Sequence, residues 1–302
     1  ILLVLNFQPT KNSQLIYVLI LFYIFYPYNI KSCPETHFKL PGMVNCHPWL
    51  NCSEIRNIKI CENIGYGTLK NVFKSYWQDH TVALSILKHK KYIPDFSVGL
   101  NMLKLLTGNP HIVQLIGFCE DMNIIVTEYH TYNNAINLKY LIKDSLVAIK
   151  FCLNYVEILD TLHSNSIGKL VNCDSNSLYK LLSQFLITND LKIVLADLDS
   201  MQIVTNSTVV CGSTKPNYEQ LISNNFLPPE QVYFGWYGDK SEIWKVPDIC
   251  EFFINSNHNV VLKYMLFDIH KSCKNADPVK RPSAKYLVKK YKLILNELLM
   301  DL

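Results

Sequence analysis

Glycine is scarce in this chain, at 10 of 302 residues, and charged side chains make up only 18%. Soluble chains average about 7% glycine and about 25% charge. Beside 49% apolar residues, the shortage of charge excludes disorder as the dominant state, because disorder needs low hydropathy with high net charge. No basic tract or RNA-binding signature accompanies the net charge of +4, so nucleic acid is not an expected partner. The ten cysteines contain no CxxC pair, which argues against a zinc ribbon. Internal repeats and low-complexity segments are absent as well.

What is present is enough chain to bury a sizeable core. The mean hydropathy of +0.08 is high for a soluble enzyme, and much of the excess is local. Residues 15–26 read LIYVLILFYIFY, between Lys11 and Lys31. The run is short for a span of about 20 residues unless its tyrosines act as interfacial anchors. No small-residue cleavage site follows it. A signal-anchor is therefore expected, with a cleaved signal peptide as the alternative. The chain opens on Ile1 rather than Met, so its extreme N-terminus is expected to be missing. Cys33, Cys46 and Cys52 cluster after the run, and Asn51-Cys52-Ser53 and Asn206-Ser207-Thr208 are glycosylation sequons. Together these favour a secretory lumen over a reducing cytosol, without fixing any cysteine pairing.

From about Ser53 onward strand-like and helix-like runs alternate. Residues 58–64 and 71–77 flank a glycine loop, 81–87 are β-branched and apolar, 96–106 have helical spacing, and 112–118 and 123–129 are strand-length apolar runs. Beyond Leu146 the apolar period lengthens to that of a helix, as in residues 146–162, 249–255, 260–273 and 283–299. A β-rich front and a helix-rich back predict two lobes.

Several motifs carry chemistry. Gly65-Tyr66-Gly67-Thr68-Leu69-Lys70 forms a glycine hairpin whose backbone N–H groups can approach phosphates closely. Val82-Ala83-Leu84-Ser85 and Thr127-Glu128-Tyr129 follow it, and Asp277-Pro278-Val279-Lys280-Arg281-Pro282-Ser283-Ala284 lies near the end. In this order they resemble a protein kinase: the third strand V-A-I-K, the E-Y pair that opens the adenine-binding hinge, and the late D-P-x-x-R-P-S-A segment. Pro228-Pro229-Glu230 stands in the A-P-E place, so an Arg281–Glu230 pair is expected, and Glu242-Ile243-Trp244-Lys245 resembles D-x-W-S with Glu for Asp.

The catalytic region diverges. Asn172-Cys173-Asp174 stands for H-R-D and Asp197-Leu198-Asp199 for D-F-G. Thirteen residues before Asp197, where the family keeps its metal-binding Asn, is Gln184. The loop from Asp174 to Gln184 is five residues longer than usual, so an unusual phosphoacceptor is expected. Phosphoryl transfer needs a base, Mg2+ ligands and a cation on the phosphates. Asp174 would be the base, and Asp197 and Gln184 would be metal ligands. Ser85 replaces the strand lysine, but Lys70 stands at the third glycine of the loop, as in the similar with-no-lysine kinases. Gly99 falls where the helical glutamate should be, so no ion pair of the usual kind is expected. Cys173 replaces the arginine that clamps a phosphorylated activation loop, so no switching by that clamp is expected. The aromatics Tyr233, Phe234, Trp236 and Tyr237 follow the P-P-E segment and are not assigned.

Other words in the sequence are not generic kinase motifs. They include Ser32-Cys33-Pro34, Asn45-Cys46-His47-Pro48-Trp49-Leu50, Cys173-Asp174-Ser175-Asn176, Leu182-Ser183-Gln184, Trp244-Lys245-Val246-Pro247-Asp248-Ile249 and Leu266-Phe267-Asp268-Ile269-His270-Lys271. With these the chain resembles the O-mannose kinases of the endoplasmic reticulum, a divergent branch of the protein kinase-like superfamily. That resemblance implies an α+β, two-lobed kinase-like fold, with a β-rich N-lobe and an α-helical C-lobe, behind an N-terminal transmembrane anchor. It implies a type II membrane protein using ATP and Mg2+ to phosphorylate the 6-hydroxyl of mannose in a GalNAc-GlcNAc-mannose trisaccharide on α-dystroglycan. An inactive, glycan-binding pseudokinase and a lumenal kinase of protein side chains are the alternatives. The expected division is an anchor region (1–31), a Cys-containing segment packed on the small lobe (32–57), a small lobe (58–130) and a large lobe (131–302). The resemblance implies that Asp174, Asp197 and Lys70 work at the site. Gly65, Gly67, Lys70, Glu128 and Tyr129 are expected to hold the nucleotide.

Overall fold

A computed structural model describes residues 33–142, 144–205, 208–211, 225–254 and 260–300. The expected anchor at 15–26 lies outside the described residues, as do Asn206 and Ser207 of the second sequon. Among the described residues no helix is long and apolar enough to cross a membrane.

The chain first makes two short paired strands, β1 (His37–Phe38) and β2 (His47–Pro48), and a helical turn α1 (Cys52–Ile55). A five-stranded antiparallel sheet follows: β3 (Lys59–Tyr66), β4 (Lys70–Trp77), β5 (His80–Leu87), β6 (Leu115–Cys119) and β7 (Ile124–Glu128), in the order β3-β4-β5-β7-β6. Helix α2 (Ile93–Leu105) connects β5 to β6, beginning three residues earlier than its spacing predicts because Pro94 suits the first turn. The middle strand β5 is buried on both faces, which is why Val82-Ala83-Leu84 reads as a continuous apolar run. Val82 and Leu84 pack with Phe38, Leu40, Leu50 and Ile55 of the preceding segment, while Phe96, Leu100 and Leu103 of α2 belong to the larger core.

That preceding segment also lies on the sheet edge. Leu50 N donates to Ile116 O (2.9 Å) and Phe118 N to Leu50 O (3.2 Å). A Cβ on Gly117 would come within 2.6 Å of Leu50 O, so this approach requires glycine. Cys33–Cys46 closes the segment on itself and Cys52–Cys119 ties it to β6.

The second half is built on helix α3 (Ser145–His163), capped by the Asp144 carboxylate, which accepts from Val147 N (2.8 Å). Beyond it come β8 (Lys169–Asn172), the short helix α4 (Leu178–Leu182), β9 (Phe185–Ile187), β10 (Ile193–Leu195), β11 (Met201–Val204) and β12 (Val209–Val210). Helix α5 (Pro229–Phe234), strand β13 (Trp236–Tyr237) and helices α6 (Asp239–Ile254), α7 (Val260–Cys273) and α8 (Ala284–Met300) complete the described residues. Helices α6 and α8 enclose α3 with a single apolar core. Antiparallel pairs β8–β11 and β9–β10 bring four strand ends together. Asp174 follows β8, Gln184 precedes β9, Asp197 follows β10 and Asp199 precedes β11. The expected Arg281–Glu230 pair is present, buried and bidentate at 2.7 and 2.8 Å.

Candidate active site

In the glycine hairpin, Gly67 N donates to Lys70 O (3.1 Å) and Lys88 Nζ donates to Gly67 O (2.6 Å), so the turn is held from both sides. Lys70 opens β4 opposite Leu87, and Val72 lies opposite Ser85. Residues two apart on a strand share a face, so Lys70 and Ser85 project from the same face of the sheet. A lysine at position 70 can thus supply charge to the cleft from the neighbouring strand, while Ser85 sits buried.

Lys70 Nζ lies 3.2 Å from Asp197 Oδ1 and 2.8 Å from Asp199 Oδ2. Burial opposes its charge, but the two carboxylates outweigh burial and raise its pKa. Asp197 is lowered, since attraction to Lys70 overcomes its desolvation. Asp199 is pushed up to about 7 by burial and by Asp197 beside it, against the pull of Lys70. Sequence reasoning expected no ordinary ion pair and missed that Asp199 supplies one. The signal was a reciprocal exchange: Gly99 where a helical acid is usual and an acid where glycine is usual. Asp199 Oδ1 occupies the space that a Cβ on Gly99 would need.

The catalytic loop is supported from below. Asn172 N donates to Glu242 Oε1 (2.8 Å), whose other oxygen meets His163 Nε2 (2.7 Å), so Glu242 ties the end of β8, just before Asp174, to helix α3. Asp174 N donates to Asn172 Oδ1 (3.0 Å). Under the next residue, Lys245 Nζ donates to Ser175 O, Ser175 Oγ and Tyr237 Oη, each at 2.8 Å. Burial drives Lys245 down to about 7, with Glu242 and Glu230 opposing. Of the four unassigned aromatics, Tyr237 is therefore internal, whereas Tyr233, Phe234 and Trp236 are exposed and Phe234 stacks on Trp236.

Gln184 joins the two halves of the site. Its backbone O accepts from Ala196 N (2.9 Å) and Asp197 N (3.3 Å), and its Nε2 reaches Lys180 O (3.1 Å) and Asp174 Oδ2 (3.5 Å). With Ser183 Oγ (3.5 Å) these partners all accept from the amide nitrogen, and Oε1 is left buried without a partner. A buried, unpartnered amide oxygen, on the residue whose backbone holds Asp197 N, suits a hard cation such as Mg2+. Among the described residues no group of three His, Cys, Asp or Glu side chains has metal-binding geometry, so an ion here would rely on one carboxylate and this amide.

The remaining expected residues are placed differently. Glu128 Oε1 accepts from Gln114 N (2.8 Å), and Tyr129 lies under Lys74 Nζ, 5.6 Å from its ring centre. Both line a cavity of about 1060 Å3 that excludes Lys70, Asp174, Gln184 and Asp197. The structure therefore does not bring these two together with the carboxylate cluster along one cavity. Cys173 forms a disulfide with Cys211, so the segment after β11 is joined covalently to the residue before Asp174.

No protein-family model matches the chain. It is 36% identical over 293 residues to the protein O-mannose kinase of Macaca fascicularis, covering 89% of this chain and 82% of that protein. It is 36% identical over 291 residues to the human protein O-mannose kinase, covering 88% and 81%. A more distant match, 26% over 169 residues, is to the dual specificity protein kinase pyk3 of Dictyostelium discoideum, covering 53% of this chain and 12% of that one. The β-sheet lobe, the helical lobe and this sustained identity lead to one conclusion: the chain belongs to the protein O-mannose kinase family.

Proposed function

We propose that the chain transfers the γ-phosphoryl group of ATP to the 6-hydroxyl of mannose in a GalNAc-GlcNAc-mannose trisaccharide on α-dystroglycan. Phosphorylation of O-mannose with ATP follows from the family; the trisaccharide, its carrier and the hydroxyl belong to the proposal. One observation carries it: the continuous series of contacts Lys70–Asp197–Gln184–Asp174 that joins the sheet to the catalytic loop.

In this reading Asp174 takes the proton of the acceptor hydroxyl as its oxygen attacks phosphorus. Lys70 meets the phosphate oxygens from the small lobe. The backbone at Gly65 and Gly67 closes over the phosphates, and that at Glu128 and Tyr129 receives the adenine. Asp197 and Gln184 would hold Mg2+, which when bound neutralises charge on the phosphates. Asp199 keeps Lys70 in place, and Cys173–Cys211 holds the loop without a phosphate clamp. The relatives are named as kinases, which does not favour the inactive alternative.

The same proposal puts the domain in the endoplasmic reticulum lumen behind an N-terminal anchor. Three disulfides among the described residues support an oxidising compartment. To test the function, the full chain is incubated with Mg2+, ATP and the synthetic trisaccharide, and the phosphate is located by mass spectrometry and NMR. Phosphate at the mannose 6-position is expected. Phosphate on a protein side chain instead, or glycan binding without transfer, would overturn the reading.

A further inference from the structure

We propose that Lys180 is a further catalytic residue, a cation that binds the phosphoryl group during its transfer; the proposal rests on the kinase reading above. Lys180 Nζ lies 2.7 Å from Asp174 Oδ2. Its charge also acts on Asp197, so it is within electrostatic reach of both the base and the carboxylate on the phosphate side.

Lys180 stands in α4, inside the stretch that lengthens the catalytic loop. The backbone is fixed by three side chains: Lys180 N donates to Ser177 Oγ (3.2 Å), and Lys180 O accepts from Gln184 Nε2 (3.1 Å) and Ser183 Oγ (2.7 Å). The amide that turns its oxygen toward the proposed cation thus also seats the lysine. The side chain itself is 47% exposed, and among the described residues its salt bridge is with Asp174. Exposed ion pairs contribute little to stability, so folding does not explain a lysine on the base. An ammonium so placed can swing from Asp174 to an incoming phosphate without breaking a structural contact.

During transfer the bond from phosphorus to the β,γ-bridging oxygen breaks as the bond from the acceptor oxygen forms. The acceptor proton passes to Asp174 and the electron pair leaves with ADP. Charge spreads over three equatorial oxygens and needs cations around it. Lys70 serves from the small lobe. In the large lobe Lys245, the other cation under the loop, commits its donors to Ser175 and Tyr237. Lys180 remains.

Steady-state kinetics of the full chain with ATP and the trisaccharide test this in Lys180→Met and Lys180→Arg. The Met variant should lose about a hundredfold in kcat, with both KM values within about threefold, as for loss of a transition-state contact. Arg should recover at least about a tenth of the wild-type kcat, a rescue that a lost packing contact would not show. A Met variant with kcat within about threefold of wild type overturns the proposal, as does a raised acceptor KM at unchanged kcat. If Met melts early, Lys180→Gln is read by the same criteria. A wild-type chain that leaves the trisaccharide unmodified overturns the functional reading and this proposal with it; an active wild type beside an equally active Met variant overturns this proposal alone.

Discussion

Asp199 and Gly99 share one space: the carboxylate of Asp199 stands where a side chain at 99 would begin. The acid that pairs with Lys70 is supplied by the segment just before β11, and helix α2 leaves the room for it. Helix propensity alone would favour alanine at 99 by about 1 kcal/mol. Overpacking typically costs about 1–3 kcal/mol and here falls on the Lys70 partner. Gly99→Ala should therefore lower kcat/KM at least about tenfold with little change in melting temperature. The double variant Gly99→Glu with Asp199→Gly, which returns the acid to the helix, should be more active than either single change. Full activity of Gly99→Ala would show that the two positions are not coupled.

Stability should depend on pH through Asp199. Its carboxyl is pushed up to about 7 in the folded chain and titrates near 4 when unfolded. Between these values the folded state holds a proton that the unfolded state has released. The contribution is therefore full below about pH 4 and is lost as pH rises toward 7. Asp199→Asn does not titrate, so its melting temperature relative to wild type should rise between pH 5 and pH 7.5. A difference that is constant with pH would contradict this origin for the shift.

Removing the charges that touch the phosphates or the acceptor should abolish transfer and spare the fold. Asp174→Asn and Asp197→Ala should show no product in the trisaccharide assay. Lys70→Ala should lose about a hundredfold or more in kcat/KM. An unchanged rate in Lys70→Ala would sink its role as the relocated phosphate cation.

The Cys173–Cys211 disulfide closes a loop of 38 residues, worth about 4 kcal/mol on the chain-entropy model. Cys173→Ser and Cys211→Ser should each lower the melting temperature and kcat, and the double variant should match either single. A double variant much worse than either single would mean that the two cysteines act separately.

Much of the site was legible because its chemistry is written in local words. Asp174, Asp197, Lys70 and the Arg281–Glu230 pair each sit in a motif whose spacing constrains what the residue can do. Gln184 was proposed by counting, and the structure leaves its amide oxygen buried without a partner. Glu128 and Tyr129 were read from a motif, yet they line a cavity apart from the carboxylate cluster, because a motif identifies a strand end and leaves its surroundings to packing. Lys180 escaped notice because it lies in an insertion, where no spacing rule applies. The disulfide partners of Cys52 and Cys173 lie 67 and 38 residues away, a pairing that no sequence spacing encodes.

Composition and spacing alone already carried the two-lobed order of strands and helices, the shortage of charge and glycine, and Lys70 and Asp199 at two positions where kinases usually keep glycine. Apolar periodicity and motif spacing are properties of the chain, so they survive without coordinates. Folding brings those two residues together: Lys70 and Asp199 are 129 positions apart in the chain and 2.8 Å apart in the fold. Burial and the neighbouring Asp197 lift the Asp199 pKa against the pull of Lys70, and burial is a property of the packed molecule alone.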